Sequence, residues 1–198
     1  MLRHYWIETS GCQMNERDSE TLAGICEALG MSPCEQPEQA DVAILNTCAV
    51  REKPQQKVFS KLGHLNRIRR ERPEMLIVVA GCVAQVAAEE LIARDADIVI
   101  GPRCYDELED ALRERSASHL LVEGGDHHVA DGLPVARNSK LKAFVNIIYG
   151  CDNFCTYCIV PHARGREQSR LPAEIVAEVE QVVAAGAREV TLLGQNVN

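Results

Sequence analysis

Ala143-Phe144-Val145-Asn146-Ile147-Ile148-Tyr149-Gly150-Cys151-Asp152-Asn153-Phe154-Cys155-Thr156-Tyr157-Cys158 reads as a strand that runs straight into a loop holding three cysteines. The spacing C-x3-C-x2-C over Cys151, Cys155 and Cys158 curls a short loop around one centre and offers three thiolates. A structural zinc site normally closes with four ligands. An iron–sulfur cubane is usually held by four thiolates, so three leave one iron without a protein ligand and open to a substrate. A zinc loop or a disulfide pair is the alternative reading of the same residues.

Downstream, Pro172 stands near a helix start, and Ile175, Val176, Val179, Val182 and Val183 form an apolar stripe. Val190–Leu193 is the next strand, followed by Gly194-Gln195-Asn196-Val197-Asn198. Strand, cysteine loop, helix and strand fit the start of a (β/α) barrel, whose chemistry sits at the C-terminal ends of the strands. Gln195 and Asn196 would face the same mouth as the cysteine loop; the plain alternative is a polar turn capping the strand. Two strands cannot close a barrel, so the sequence reads as the first part of a longer protein.

Upstream, strands and helices alternate. Leu2–Glu8 reads as a strand, and Gly11-Cys12-Gln13-Met14-Asn15 turns the chain into a helix near Asn15. On that helix Leu22, Ile25, Cys26 and Leu29 make an apolar stripe, with Cys26 a small core hydrophobe. Asp41–Leu45 is a strand ahead of Asn46-Thr47-Cys48, and a helix follows from about Arg51 to Arg70. Met75–Val79 is a strand ahead of Gly81-Cys82, then a helix over Val83–Ala93, a strand Asp97–Ile100 and a helix Tyr105–Arg113. This alternation predicts an open, Rossmann-like parallel sheet, on which ligands collect at the carboxyl ends of the strands. Cys12, Cys48 and Cys82 each follow a strand end, so three strands deliver three thiolates to one edge of the sheet. Cys104 also follows a strand and is a conceivable fourth ligand, with a structural or free thiol the preferred reading. Cys34, beside Pro33, reads as incidental.

The chain has 198 residues, 46% hydrophobic and 25% charged, enough for one large or two small domains. The expected division is 1–116 for the first domain, 117–136 for a linker and 137–198 for the second. Between Ser116 and Lys140 no periodicity holds, and Gly124-Gly125, Gly132, Pro134, His119, His127 and His128 suggest a solvated linker over a metal-binding histidine pair. Nine cysteines without an apolar signal core at the N-terminus suggest a cytoplasmic protein whose cysteines serve metal or redox chemistry. No apolar run is long enough to cross a membrane. The net charge of −8 does not favour nucleic acid in general. Arg51 to Arg72, with eight Lys/Arg against two Asp/Glu, is the local exception. It reads equally as an RNA-phosphate contact or as a solvated helix with Arg67, Arg69 and Arg70 at its C-terminal dipole.

Cys151, Cys155, Tyr157 and Cys158, with Ile159 to Arg170 behind them, resemble the radical S-adenosylmethionine (SAM) methylthiotransferases. Gly11-Cys12-Gln13-Met14-Asn15, Asn46-Thr47-Cys48 with Arg51-Glu52-Lys53, and Gly81-Cys82 resemble the first domain of the same family. The resemblance implies two [4Fe-4S] clusters: a radical SAM cluster on Cys151, Cys155 and Cys158, and an auxiliary cluster on Cys12, Cys48 and Cys82 associated with the sulfur to be transferred. Cys26, Cys34 and Cys104 match no family motif. The resemblance further implies SAM as cofactor, contacted by Tyr157, Gln195 and Asn196. It implies tRNA as substrate, an electron donor such as flavodoxin or ferredoxin, and a monomer with no membrane partner. The ending Leu192-Leu193-Gly194-Gln195-Asn196-Val197-Asn198 is similar to the branch that methylthiolates C2 of N6-isopentenyladenosine beside the anticodon. Sister branches act on threonylcarbamoyl-adenosine or on a ribosomal-protein aspartate and share every cysteine. A non-enzymatic iron–sulfur redox protein and an inactive truncated fragment are the readings from other classes.

Overall fold

The computed structural model describes residues 2–49, 52–115, 119–122 and 132–197. Arg51, Asn198 and the linker residues Gly124, Gly125, His127 and His128 lie outside them. The chain runs β1 (His4–Ser10), α1 (Gln13–Ala28), β2 (Ser32–Pro33), a 3-10 turn at Pro37–Gln39, and β3 (Val42–Thr47). Then come α2 (Glu52–Glu71), β4 (Leu76–Ala80), α3 (Cys82–Val86), α4 (Ala88–Ile92) and β5 (Ile98–Ile100). A 3-10 turn at Tyr105–Glu107 leads into α5 (Leu108–Glu114), followed by β6 (His119–Leu121). The second part has β7 (Lys142–Asn146), β8 (Ile148–Tyr149), α6 (Val160–Ala163), β9 (Gln168–Ser169), α7 (Pro172–Ala184) and β10 (Glu189–Leu193).

β1 to β6 form one sheet in the order β2-β1-β3-β4-β5-β6, with every pair parallel. A parallel sheet covered on both faces needs strands that are apolar on both sides. β3 and β4 meet that demand, being buried from end to end. Val42, Ile44, Val78 and Ile98 pack with Leu22, Ile25 and Cys26 of α1 and with Leu108 and Leu112 of α5. Their neighbours Ala43, Leu45, Ile77 and Val79 pack with Val58, Leu62 and Leu65 of α2 and with Leu91 of α4 on the other face. Alternate residues of one strand thus feed two cores, the arrangement of a doubly wound fold. The order 2-1-3-4-5 places the switch point between β1 and β3, where ligands of such sheets sit.

Two expectations need correction. The helix expected over Val83–Ala93 is two short helices, because Ala87 leaves helical geometry at φ −130, ψ 27. The stretch expected as a solvated linker contributes β6, which extends the sheet beyond β5. Its far end is a strap across α1: the Ala136 amide donates to the Glu20 carbonyl (2.9 Å), and Leu133 and Ala136 pack on the first core. Gly24 makes the crossing possible, since a Cβ there would collide with the carbonyl of Pro134.

In the second part β7 and β10 pair in parallel, with Ala143, Val182, Ala187 and Val190 packed between strand and helix. This is one β–α–β unit, as the order of elements implied. A short antiparallel ribbon, β8 with β9, pinches off the loop that carries the second cysteine triad.

Two cysteine triads joined by a buried arginine

The first triad is assembled by the sheet. Cys12 stands at the N-cap of α1 and forms a reciprocal capping box with Asn15. Cys48 follows β3, with its amide donating to the Ser10 carbonyl (2.9 Å) across the switch point. Cys82 opens α3 directly after β4. The three strand ends touch: a Cβ on Gly11 would lie 2.8 Å from Cβ of Cys48. A Cβ on Gly81 would collide with the Asn46 side-chain oxygen and approach the Thr47 carbonyl to 2.8 Å. Gly81 also has φ +89, so only glycine suits the turn.

Two buried asparagines hold the loops in register. Asn46 Nδ2 donates to the Asn15 carbonyl and to Ser19 Oγ, both at 2.8 Å, while Asn15 Nδ2 donates to Asn46 Oδ1 at 3.1 Å. The thiols differ electrostatically. A hydrogen bond from Cys48, the helix-start amides and Arg164 pull Cys12 down to about 5, so it is a thiolate at neutral pH although burial opposes this. Burial pushes Cys82 up, against the pull of Arg164.

The second triad is local. Gly150 has φ +66, and a Cβ there would collide with the carbonyls of Gly165 and Arg166, which close the loop from behind. The Cys151 amide donates to the Gly165 carbonyl (3.3 Å) and the Cys158 amide to that of Cys155 (2.9 Å). Cys151 is buried, Cys158 half-buried and Cys155 exposed. Asp152 braces the loop by accepting from the Glu167 amide (3.0 Å) and from Arg166 Nε (3.1 Å). Phe154 sits in the left-handed region (φ 44) with the Arg166 guanidinium 5.6 Å from its ring centre.

Tyr157 is 91% exposed. Gln195 and Asn196 are half-buried, and Gln195 Oε1 is buried without a hydrogen-bond partner. They follow β10, whose Leu193 carbonyl accepts from the Ile147 amide (2.9 Å), so they leave the same end of the strand pair as the cysteine loop. Cys104 lies in the first apolar core with Tyr105 and Leu108, and Cys26 lies in the same core, pushed up to about 12 by burial. Cys34 Sγ lies 3.4 Å from the Tyr5 carbonyl, away from both triads.

Among the described residues no three His, Cys, Asp or Glu side chains are gathered around a point suited to a single metal ion. Both triads are open sets on converging loops. Three thiols per set, with Cys104 among the described residues lying in the apolar core instead, is the number that leaves one iron of a cubane free.

The residues that sequence reasoning missed lie between the triads. Arg164, six residues beyond Cys158, is 5% exposed and donates through Nη2 to Asp18 Oδ2 of α1 at 2.6 Å. Burial opposes its charge, but Asp18 and Cys82 hold it firmly protonated. Arg103, beyond β5, donates through Nε to the Arg164 carbonyl (2.9 Å) and through Nη2 to the Arg166 carbonyl (2.5 Å). α3, which begins at Cys82, packs on α6, which follows Cys158. A second contact gathers three arginines on Glu178 of α7: Arg170 at 2.6 Å, Arg137 at 2.8 Å and Arg17 of α1 at 3.3 Å. A cavity of about 890 Å³ opens beside that contact, lined by Arg17, Tyr105, Arg137 and Asn146 among others. One sequence signal existed. In the first half of α1, Asn15 and Arg17 to Thr21 are polar yet buried, which a helix facing solvent would not show.

The basic stretch around α2 is partly spent within the chain: Lys61 pairs with Glu8, Arg69 with Asp97 and Arg72 with Asp41. Lys57, Arg67 and Arg70 are exposed.

A family model described as "Uncharacterized protein family UPF0004" matches residues 4–101, and the Radical SAM superfamily model matches residues 145–198. The tRNA-2-methylthio-N(6)-dimethylallyladenosine synthase of Bacillus pumilus is 46% identical over 99% of this chain and 40% of its own length. Synthases of the same name from Carboxydothermus hydrogenoformans and Thermotoga petrophila are 46% and 47% identical, with 46% and 44% of their lengths covered. The chain thus spans less than half the length of these relatives. No helix among the described residues is long and apolar enough to cross a membrane.

Proposed function

Because this chain belongs to the radical SAM methylthiotransferase family, we propose that it serves the methylthiolation of C2 of N6-isopentenyladenosine in tRNA. The observation that carries the reading is the pairing of two three-cysteine sets, one on the sheet and one on the loop, with α3 of the first packed on α6 of the second. In this reading Cys12, Cys48 and Cys82 hold an auxiliary cluster, and Cys151, Cys155 and Cys158 hold the cluster that takes SAM. When bound, the second cluster supplies an open iron for SAM and the electron that cleaves it.

The chain's own part is positioning. The Asn15–Asn46 pair fixes the three strand ends, and Gly150 lets the second loop close against Gly165. Gln195 Oε1, buried and without a partner, is a waiting acceptor for the SAM amino group, with Asn196 beside it. Tyr157 offers an exposed aromatic face to SAM or to the target base. Among the described residues of α2, Lys57, Arg67 and Arg70 offer exposed cations to tRNA phosphates. The protein works in the cytoplasm as a monomer, fed by a flavodoxin- or ferredoxin-type donor.

The test incubates the anaerobically reconstituted chain with SAM, dithionite and tRNA carrying isopentenyladenosine, with the Thermotoga petrophila relative as positive control. The readouts are 5′-deoxyadenosine and the methylthio product, by mass spectrometry. SAM cleavage lost in Cys151→Ala but kept in Cys48→Ala is the expected result. Methylthiolation of threonylcarbamoyl-adenosine in preference to isopentenyladenosine would reassign the substrate.

A further inference from the structure

A buried ion pair is weak support for stability, because burying each ion costs several kcal/mol and well-packed apolar residues often serve as well. Arg164 and Asp18 are such a pair, 2.6 Å apart, each nearly sealed from solvent, and they come from different parts of the chain. Arg164 does more than meet Asp18. It caps the end of α6, which packs on α3, the helix that opens at Cys82, and its charge acts on both Cys82 and Cys12. A guanidinium has five donors in a rigid fork, so it can hold a carboxylate and a thiolate at once, which an ammonium point charge does less well. The backbone around it is fixed too. Arg103 clamps the carbonyls on both sides of Gly165, and Gly165 (φ +72) has no room for a side chain because Arg103 Nε would lie 2.8 Å from its Cβ.

The element that carries Arg164 closes the second cysteine loop from behind, since Gly165 and Arg166 fill the space at Gly150. A buried cation set against the helices that open at Cys12 and Cys82 is thus supplied by the loop of the second triad. We propose that Arg164 is the counter-cation of the first cysteine site, tuned by Asp18, so that the charge and reduction equilibrium of the first cluster are set by a residue of the second domain. Arg164 is a positioning and tuning residue here. The inference rests on the cluster assignment proposed above.

The test removes the second cluster with the Cys151→Ala/Cys155→Ala/Cys158→Ala background and follows the remaining cluster by electron paramagnetic resonance during a redox titration. Arg164→Gln, which deletes a positive charge, lowers the midpoint by at least a tenfold change in the reduction equilibrium, about 59 mV for one electron. Asp18→Asn deletes a negative charge at constant shape and raises it. Arg164→Lys stays near the parent, and the Arg164→Gln/Asp18→Asn double variant falls between the two singles. Opposite shifts from two neighbours are not what general loosening would produce. Asp18→Asn keeps Arg164 in place, so it gives the answer even if Arg164→Gln does not fold. Equal midpoints in parent, Arg164→Gln and Asp18→Asn, with the cluster intact, overturn the inference alone. Failure of the triple-alanine background to hold any iron overturns the cluster reading and the inference with it.

Discussion

The two triads present the same three thiols by opposite means. Cys12, Cys48 and Cys82 are spread over 70 residues of sequence and meet only because β1, β3 and β4 are neighbours in the sheet. Cys151, Cys155 and Cys158 lie within one loop, closed by the β8–β9 ribbon and by the carbonyls behind Gly150. The first site is therefore as stable as the domain that builds it, while the second is held by one loop whose far end, Arg164 to Arg166, is anchored on Asp18 and Arg103. Both triads grade from buried to exposed, from Cys48 and Cys82 to Cys12 in the first and from Cys151 to Cys155 in the second, but the charge of buried Arg164 acts on the first.

The largest contrast is expected from the cysteines themselves. Alanine at any of Cys151, Cys155 or Cys158 abolishes SAM cleavage. Alanine at Cys12, Cys48 or Cys82 leaves cleavage in place and removes methylthiolation, and product retained in the second set would contradict the auxiliary site.

Two glycines break the comparison at the level of backbone. Gly81→Ala forces a Cβ into Asn46 at a φ of +89, and is expected to cost the first domain at least about 2 kcal/mol in denaturant unfolding, with loss of its iron. Gly150→Ala meets the carbonyls of Gly165 and Arg166, so it should release iron from the second site at a smaller cost to the first domain than Gly81→Ala. An equal fall in first-domain stability from both would mean that the second site is not local.

The contact that joins the two parts gives a third, smaller effect with a definite sign. Burial pushes Glu178 up, but Arg170, Arg17 and Arg137 outweigh it and hold the carboxyl below its ordinary range. Its contribution to stability is present above the unfolded carboxyl range and is lost as the pH falls through the depressed value, below about 4.3. Burial leaves Glu20 raised despite its arginines, so its ionised form is a burden that eases on acidification. Glu178→Gln should therefore cost about 2–3 kcal/mol at neutral pH, and Glu20→Gln should be neutral or slightly stabilising there. Equal losses from both would refute the assignment of the two roles.

The smallest effect is a rate order. In the metal-free chain at pH 6.5, iodoacetamide should modify Cys12 well before Cys82 and Cys26, because only Cys12 is both exposed and drawn down to about 5. Peptide mass spectrometry reads that order, and the advantage of Cys12 should fade as the pH drops below 5.

Most of the fold was legible because its signals are local. β3, β4 and β5 are short apolar runs, α1 and α7 carry apolar stripes, and each cysteine of the first triad follows a strand end within a few residues. β2 and β6 were not legible: with two and three residues they carry no periodicity and exist only through pairing with β1 and β5. The break at Ala87 was hidden because alanine favours the helix it interrupts. The placement of the six cysteines, three after strand ends and three in one loop, was legible by spacing and by position after strands. Arg164 and Asp18 were not, since 146 residues separate them and neither is unusual in its own neighbourhood. Their pairing is a product of docking between the two parts, which no local pattern encodes.

The central claim is two open cluster sites in one chain, and metal analysis tests it most directly. After anaerobic reconstitution, iron, sulfide and zinc are counted per chain. About eight iron and eight sulfide, falling to about four with Cys151→Ala/Cys155→Ala/Cys158→Ala and to about four with Cys12→Ala/Cys48→Ala/Cys82→Ala, is the expected result. About four iron in the parent, all lost with the first of these variants, would contradict the account and reduce the first domain to a scaffold.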